Sequence, residues 1–354
     1  MLIRLECLMS PAMEQWLMGR PKVARQALLG AWNDACSYDG NSTLLVPKGT
    51  FFVSPVAFEG PCYNNQPPKI QIRGKLKAPS SLYAFATSTW IMFERLRGFN
   101  LTGETAPATL DAQGVEAWAH TGCHNRPTSL RFVNISNGMI SNFALLNTLT
   151  QMASTLVLQL ISTSLLQELE WVTIVSPLDQ ASTNVTVFNI TCGPGHGISV
   201  GSLGKYPKEE NVMGFSVSNC TINGTENGVR IKTWPGEAAS VASNLTFEDI
   251  VMINVSHPII MDQNYCPGHK CQNSKPSHVK LINVLFKNIR GTSNTKPAVT
   301  LRCSSSVTCK NVQLVDIKLN YETDSRQPLN SQFEGDPRVP FVAYKFLSKL
   351  KFFT

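Results

Sequence analysis

One imidazole sits in a bed of glycines in Cys192-Gly-Pro-Gly-His196-Gly-Ile-Ser-Val-Gly-Ser-Leu-Gly204, and Val229-Arg230-Ile231-Lys232-Thr233-Trp234 follows a short distance on. The second stretch alternates apolar and polar residues. Along a strand successive side chains point to opposite faces, so Arg230 and Lys232 share one. That face is basic and has an aromatic residue beside it. Arginine and lysine hold carboxylates by charge-assisted hydrogen bonds, and histidine exchanges protons near neutral pH. Together they suit a site that grips an anionic polymer such as a uronic-acid chain.

The elements that must position these residues show a repeat. An alternating apolar run ends in Asn or Asp followed by an apolar residue or cysteine at Asn134, Asn189, Asn219, Asp249, Asn288 and Asp316. The last five are spaced by 30, 30, 39 and 28 residues, a period typical of solenoids. Strand-like units with no helical stretch between them predict a parallel β-helix, an all-β fold of stacked coils. The recurring Asn and Asp are expected to stack as a structural ladder from coil to coil. Before the repeat, Ala27–Cys36 reads as a short helix with Leu28, Leu29 and Trp32 on one face. Thr43–Val53 reads as strand, turn, strand, and Lys69–Lys75 as one alternating strand. These readings divide the chain into an atypical segment 1–26, a β-helix over 27–320 and a tail over 321–354.

Composition bounds the partners. A length of 354 residues fits a single long repeat domain, and 43% apolar residues supply a core. The formal charge of +7 suits an acidic partner, yet the cations are scattered and no nucleic-acid motif accompanies them, which ranks a polyanionic sugar above nucleic acid. No His/Cys spacing calls for zinc, and no cofactor or metal is expected. Ten cysteines and nine Asn-x-Ser/Thr sequons (Asn41, Asn100, Asn134, Asn184, Asn189, Asn219, Asn223, Asn244 and Asn254) read as a secreted glycoprotein. The start makes a poor signal peptide, because Glu6 interrupts its apolar run. From Val133 to Gln167 no residue is charged, a length that could span a bilayer. Six Asn and Gln residues interrupt the run, so buried strands of a soluble monomer are expected there instead.

The stretch from Cys192 to Gly204, with Asn227-Gly-Val-Arg-Ile-Lys-Thr-Trp234, resembles the plant polygalacturonases, family 28 of the glycoside hydrolases. Leu44-Leu-Val-Pro-Lys-Gly-Thr50, Leu110-Asp-Ala-Gln-Gly114, Asn125-Arg-Pro-Thr-Ser-Leu130 and Pro258-Ile-Ile-Met-Asp-Gln-Asn-Tyr-Cys-Pro267 extend the likeness over roughly residues 27–320. The resemblance implies a right-handed, single-stranded parallel β-helix that hydrolyses 1,4-linked galacturonan in pectin with inversion, in the plant cell wall. It makes His196 an assisting catalytic residue, Arg230 and Lys232 the ligands of substrate carboxylates, and Tyr265 the aromatic contact to sugar.

That chemistry also needs carboxyl groups, one to protonate the leaving oxygen and another to activate water. The family draws three aspartates from an Asn-Thr-Asp and a Gly-Asp-Asp motif, and neither motif is present here. Between Ala112 and Glu248 the one aspartate is Asp179. Val175 and Asn184 lie too close in sequence for a full coil to fit between them at about 3.5 Å per residue. Either both strands lie in one coil or coils are missing there; the resemblance implies that about two coils bearing the acids are absent near residue 180, and the chain is expected to be impaired or inactive as a hydrolase. A non-catalytic pectin-binding wall protein, or the product of a gene reading that lacks exons, would leave the same pattern. Pectate lyases are a weaker alternative, since they use calcium-binding acids and lack the glycine-bedded histidine. Glu209 and Glu210 are expected to be solvated, and Glu226 to pair with Arg230. The cysteines fit the pairs Cys36–Cys62, Cys192–Cys220, Cys266–Cys271 and Cys303–Cys309, leaving Cys7 and Cys123.

Overall fold

The structure, a computed structural model, describes residues 2–4, 21–85, 87, 89–104, 108–114, 127–147, 156–158, 182–205, 208–236, 238–266, 271, 275–295, 297–321, 324–328, 330–334 and 342–344. Strand β1 (Leu2–Arg4) and helix α1 (Pro21–Ser37) precede three short coils. The first has β2 (Thr43–Val46), β3 (Thr50–Phe52) and β4 (Val56–Glu59). The second has β5 (Lys69–Ile72), β6 (Lys75–Lys77) and β7 (Thr89–Arg97). The third has β8 (Asn100–Gly103), β9 (Thr109–Asp111) and the start of β10 (Thr128–Leu146). Long and short strands then alternate: β11 (Leu156–Leu158), β12 (Thr183–Cys192), β13 (Ile198–Leu203), β14 (Val212–Asn223), β15 (Asn227–Thr233), β16 (Val241–Val255), β17 (His257–Asp262), β18 (Lys280–Ser293) and β19 (Pro297–Arg302).

Each strand pairs in parallel with its counterpart one coil on, as in β12–β14–β16–β18 and β13–β15–β17–β19. This is the expected right-handed parallel β-helix. Inward positions fill a continuous apolar column. Phe58, Phe93 and Phe132 stack at 5.0 and 5.3 Å, and Phe247 and Phe286 at 5.1 Å. Identical inward positions on successive coils sit about 4.8 Å apart, which is the spacing at which rings stack. Among the described residues no helix is long and apolar enough to cross a membrane.

The recurring Asn and Asp do more than stack. Asn134, Asn189, Asn219, Asp249, Asn288 and Asp316 all have φ between 48° and 55°, the left-handed region that Asn and Asp tolerate best among residues with a Cβ. Each bends its strand around a corner of the coil. A second corner lies five residues before Asn142, Asn189, Asn219, Asp249, Asn288 and Asp316, at Asn137, Asn184, Gly214, Asn244, Asn283 and Asn311, again with positive φ. Side-chain amides join these corners, with Asn189 donating to Asn142 at 2.9 Å and Asn288 to Asp249 at 2.5 Å. Asn283 likewise donates to Asn244 at 2.9 Å, and Asn311 to Asn283 at 2.8 Å.

Several local expectations need correction. The ladder partner of Asn189 is Asn142, not Asn134, because β10 runs on past its first corner and Ser141 pairs with Phe188. Lys69–Lys75 is two strands, since the backbone turns at Gly74, where a Cβ would meet the Pro47 and Gly49 carbonyls. Helix α1 starts at Pro21, within the segment set apart as 1–26, and buries Ala24, Leu28, Ala31, Trp32 and Ala35 against the first coil, with Leu29 at the edge. The Trp32 indole donates to the Glu59 carbonyl at 3.2 Å, and Cys36–Cys62 ties the helix to the same coil.

Cys266–Cys271 and Cys303–Cys309 are bonded as expected, but Cys192 and Cys220 are buried free thiols. In the β12–β14 register Cys192 faces Ile222, two residues beyond Cys220. That offset sets the two Cα atoms roughly 8 Å apart, given about 4.8 Å between strands and 3.3 Å per residue, beyond the ~7 Å a disulfide spans. Cys7, Cys123, Asp179 and the joint near residue 180 lie outside the described residues.

Candidate active site

The site lies on the β13–β15–β17 sheet and is built from three successive coils. His196 enters from the loop before β13, where Gly195 bridges Thr225 on the next coil. At Gly193 and Gly197, with φ of 131° and 91°, a Cβ would collide with the Asn223 and Asn227 carbonyls. Only glycine lets the loop press onto the next coil and drive the imidazole inward, where it is 3% exposed.

From β15 come Asn227, Arg230 and Lys232. Arg230 Nη1 lies 2.9 Å from His196 Nε2, and Asn227 Nδ2 lies 3.0 and 3.1 Å from the two ring nitrogens. Glu226 Oε2 approaches Nδ1 to 2.9 Å, though poorly aligned for a straight hydrogen bond. Tyr265, just beyond β17, is anchored by its N–H to the Thr233 carbonyl at 3.1 Å. The Arg230 guanidinium and the Lys232 ammonium lie 4.9 and 5.0 Å from its ring centre, within cation–π range. Trp234 meets Tyr265 edge-on at 5.8 Å and donates to Ser202 Oγ at 2.8 Å. The four residues singled out in the sequence, His196, Arg230, Lys232 and Tyr265, therefore converge on one sheet face.

Burial governs the charges. It pulls the His196 imidazole down to about 4 against the opposing pull of Glu226, so the ring is neutral near pH 7. It also brings the Lys232 ammonium down to about 7, with Arg230 adding repulsion. Burial lowers Arg230 and raises the Tyr265 phenol as well. Among the described residues neither Arg230 nor Lys232 has a carboxylate within ion-pair distance.

The glutamates depart from expectation. Glu226 pairs with His196 rather than Arg230, because its neighbour Asn227 sits against the ring at the same level. Glu209 is buried rather than solvated, and its carboxylate accepts the Gly204 and Lys205 N–H groups at 2.5 and 2.9 Å. It closes the loop after β13. Asn227 was not singled out from the sequence, nor was His257, which pairs with Asn227 one coil on. The repeat carried a usable signal: one coil of 30 residues separates Asn189 from Asn219, and the same step from His196 reaches Glu226 and its neighbour Asn227. Among the described residues no group of three His, Cys, Asp or Glu side chains could hold a metal ion.

Residues 36–161 and 173–334 match the family model described as Glycosyl hydrolases family 28. The chain belongs to this family. Within it, the chain is 38% identical over 334 residues to an exopolygalacturonase of Platanus acerifolia, covering 84% of this chain and 86% of that one. It is 37% identical over 336 residues to a polygalacturonase of Gossypium barbadense, covering 86% and 81%. Among solved structures, endo-xylogalacturonan hydrolase from Aspergillus tubingensis superposes with a TM-score of 0.57 at 17% identity, over 92% of this chain and 96% of that one. That last likeness supports the shared β-helix and nothing finer.

Proposed function

We propose that this family 28 chain binds 1,4-linked galacturonan through Arg230, Lys232 and Tyr265, with His196 beneath them, and that its inverting hydrolysis is impaired or lost. One observation carries the binding half. Two neighbouring cations flank one aromatic ring, and neither has a carboxylate partner among the described residues. Galacturonate brings a carboxylate for the cations and a sugar face for the ring. The two polygalacturonase relatives support the same substrate class.

The catalytic half rests on what surrounds the cluster. An inverting glycosidase needs a general acid and a general base, worth about 100- to 10,000-fold for the proton transfer alone. The described carboxylates nearest the cluster are Glu226 and Asp262. Glu226 faces the imidazole, and Asp262 Oδ1 accepts the Asn264 N–H at 2.9 Å. Placement outside the cell, in the wall, as a glycoprotein fits the sequons and the three disulfides among the described residues.

Equilibrium binding to polygalacturonate, run beside a reducing-end assay, tests both halves. The expected result is binding that weakens as salt rises, with little or no release of reducing ends. Absence of binding at low salt overturns the first half, and rapid release of reducing ends overturns the second.

A further inference from the structure

The Glu226 carboxylate reaches His196 from a fixed base. Its N–H donates to the Gly195 carbonyl at 2.7 Å, and its carbonyl accepts the His257 N–H at 2.8 Å. Oε2 ends 2.9 Å from Nδ1, off the line of a straight hydrogen bond, and no other group bonds it. On the other nitrogen, Arg230 Nη1 lies 2.9 Å from Nε2. A guanidinium only donates, so Nε2 must present its lone pair and the ring proton must sit on Nδ1. That is the nitrogen the carboxylate faces. The Arg230 contact sets the tautomer and the Glu226 carboxylate favours the same one, while the Asn227 amide, 3.0 and 3.1 Å from the two ring nitrogens, can donate to the bare Nε2.

We propose that Glu226 is a positioning residue that holds His196 in its Nδ1–H tautomer, so that Nε2 fixes the Arg230 guanidinium for a substrate carboxylate. The inference deepens the galacturonan reading and rests on it for the identity of that carboxylate. The charged and titratable groups around the ring are Glu226 from the turn before β15, Arg230 and Lys232 from β15, His257 and Asp262 from β17, and Tyr265 beyond it. Among the described residues Glu226 alone brings a carboxylate within 4.0 Å of the imidazole. Arg230 has its own Nε buried without a partner, so the contact through Nη1 and the Tyr265 ring are what restrain it. Protonating the imidazole would remove the lone pair and set a cation against Arg230, so the relay operates while the ring is neutral. Burial maintains that state.

The test uses the full chain labelled with 15N-histidine, together with calorimetry of tetragalacturonate binding. The wild-type His196 signal is expected to show a protonated Nδ1 and a bare Nε2 near neutral pH. Glu226→Ala is expected to mix the tautomers and weaken tetragalacturonate binding about tenfold, the share of one charge-assisted contact. Glu226→Gln, whose amide oxygen still accepts from Nδ1, is expected to restore the tautomer and most of the affinity. A bare Nδ1 in wild type overturns the proposal, and that spectrum decides even if Glu226→Ala does not fold. An unchanged tautomer and affinity in folded Glu226→Ala also overturns it. A correct tautomer with no tetragalacturonate bound by wild type supports the relay between Glu226 and His196 and sinks the substrate reading alone.

Discussion

At the scale of single residues, burial makes this site sensitive to pH in two opposite senses. Lys232 titrates at about 7 in the folded chain, and only its charged form binds a carboxylate. Polygalacturonate affinity is therefore expected to hold below pH 7 and to fall above it, by at most about tenfold per pH unit for one linked proton. Binding isotherms across pH 6 to 9 check this, and Lys232→Met should flatten the profile while lowering affinity throughout. His196 has the other dependence. Its folded value of about 4 lies below the ordinary 6.5, so the unfolded chain takes up a proton first as pH falls. Stability is complete above that ordinary value and is lost between it and the folded one, by about 3 kcal/mol at most. Urea titrations at the two ends of that window measure the loss, and His196→Gln should remove most of it.

At the scale of the element, the corners and the glycine loop hold the geometry. Asn288 supplies both a left-handed corner and an amide hydrogen bond to Asp249. Replacement by glycine keeps the corner and loses the bond, at a cost of about 1 kcal/mol. Replacement by alanine adds the backbone strain of a Cβ at positive φ, about 1 kcal/mol more. Denaturant unfolding of the two variants separates the contributions; equal costs would mean that the corner is not strained. Gly197→Ala should be worse, because its Cβ would meet the Asn227 backbone at φ 91°. A loss of about 2 to 4 kcal/mol together with weakened galacturonan binding is expected. The Asn and Asp period was legible in the sequence, but its register was not. Asn134 and Asn142 both precede plausible strand residues, and only the pairing of Ser141 with Phe188 puts Asn142 in the ladder.

At the scale of the molecule, an open solenoid exposes its first coil, and α1 covers it here with Ala24, Leu28, Ala31, Trp32 and Ala35. Cys36–Cys62 fastens that cap across a sequence separation of 26, a loop worth about 3 to 4 kcal/mol in a chain-entropy account. Reduction under native conditions should lower the melting temperature and expose α1 to proteolysis before the later coils. Cys192 and Cys220 should resist alkylation until the chain unfolds, since burial raises their thiols to about 12 and about 11. Peptide mapping after brief alkylation reads this directly, and early labelling at Cys192 would show that the coil opens.

The sequence alone determined the solenoid, its strand period, the four converging residues and three of the four disulfide pairs. Alternation and coil length write the solenoid and the shared face of Arg230 and Lys232 into the chain, while Tyr265 is legible only through the family resemblance of its motif. The tertiary structure alone decided which nitrogen of His196 faces which neighbour, and that Glu226 meets the imidazole rather than Arg230. It alone placed Cys192 out of reach of Cys220. Each of these depends on a shift of one or two residues between coils. Hydrophobic periodicity fixes which face a side chain takes, while the offset between neighbouring coils is set by their turns and by packing along the whole stack.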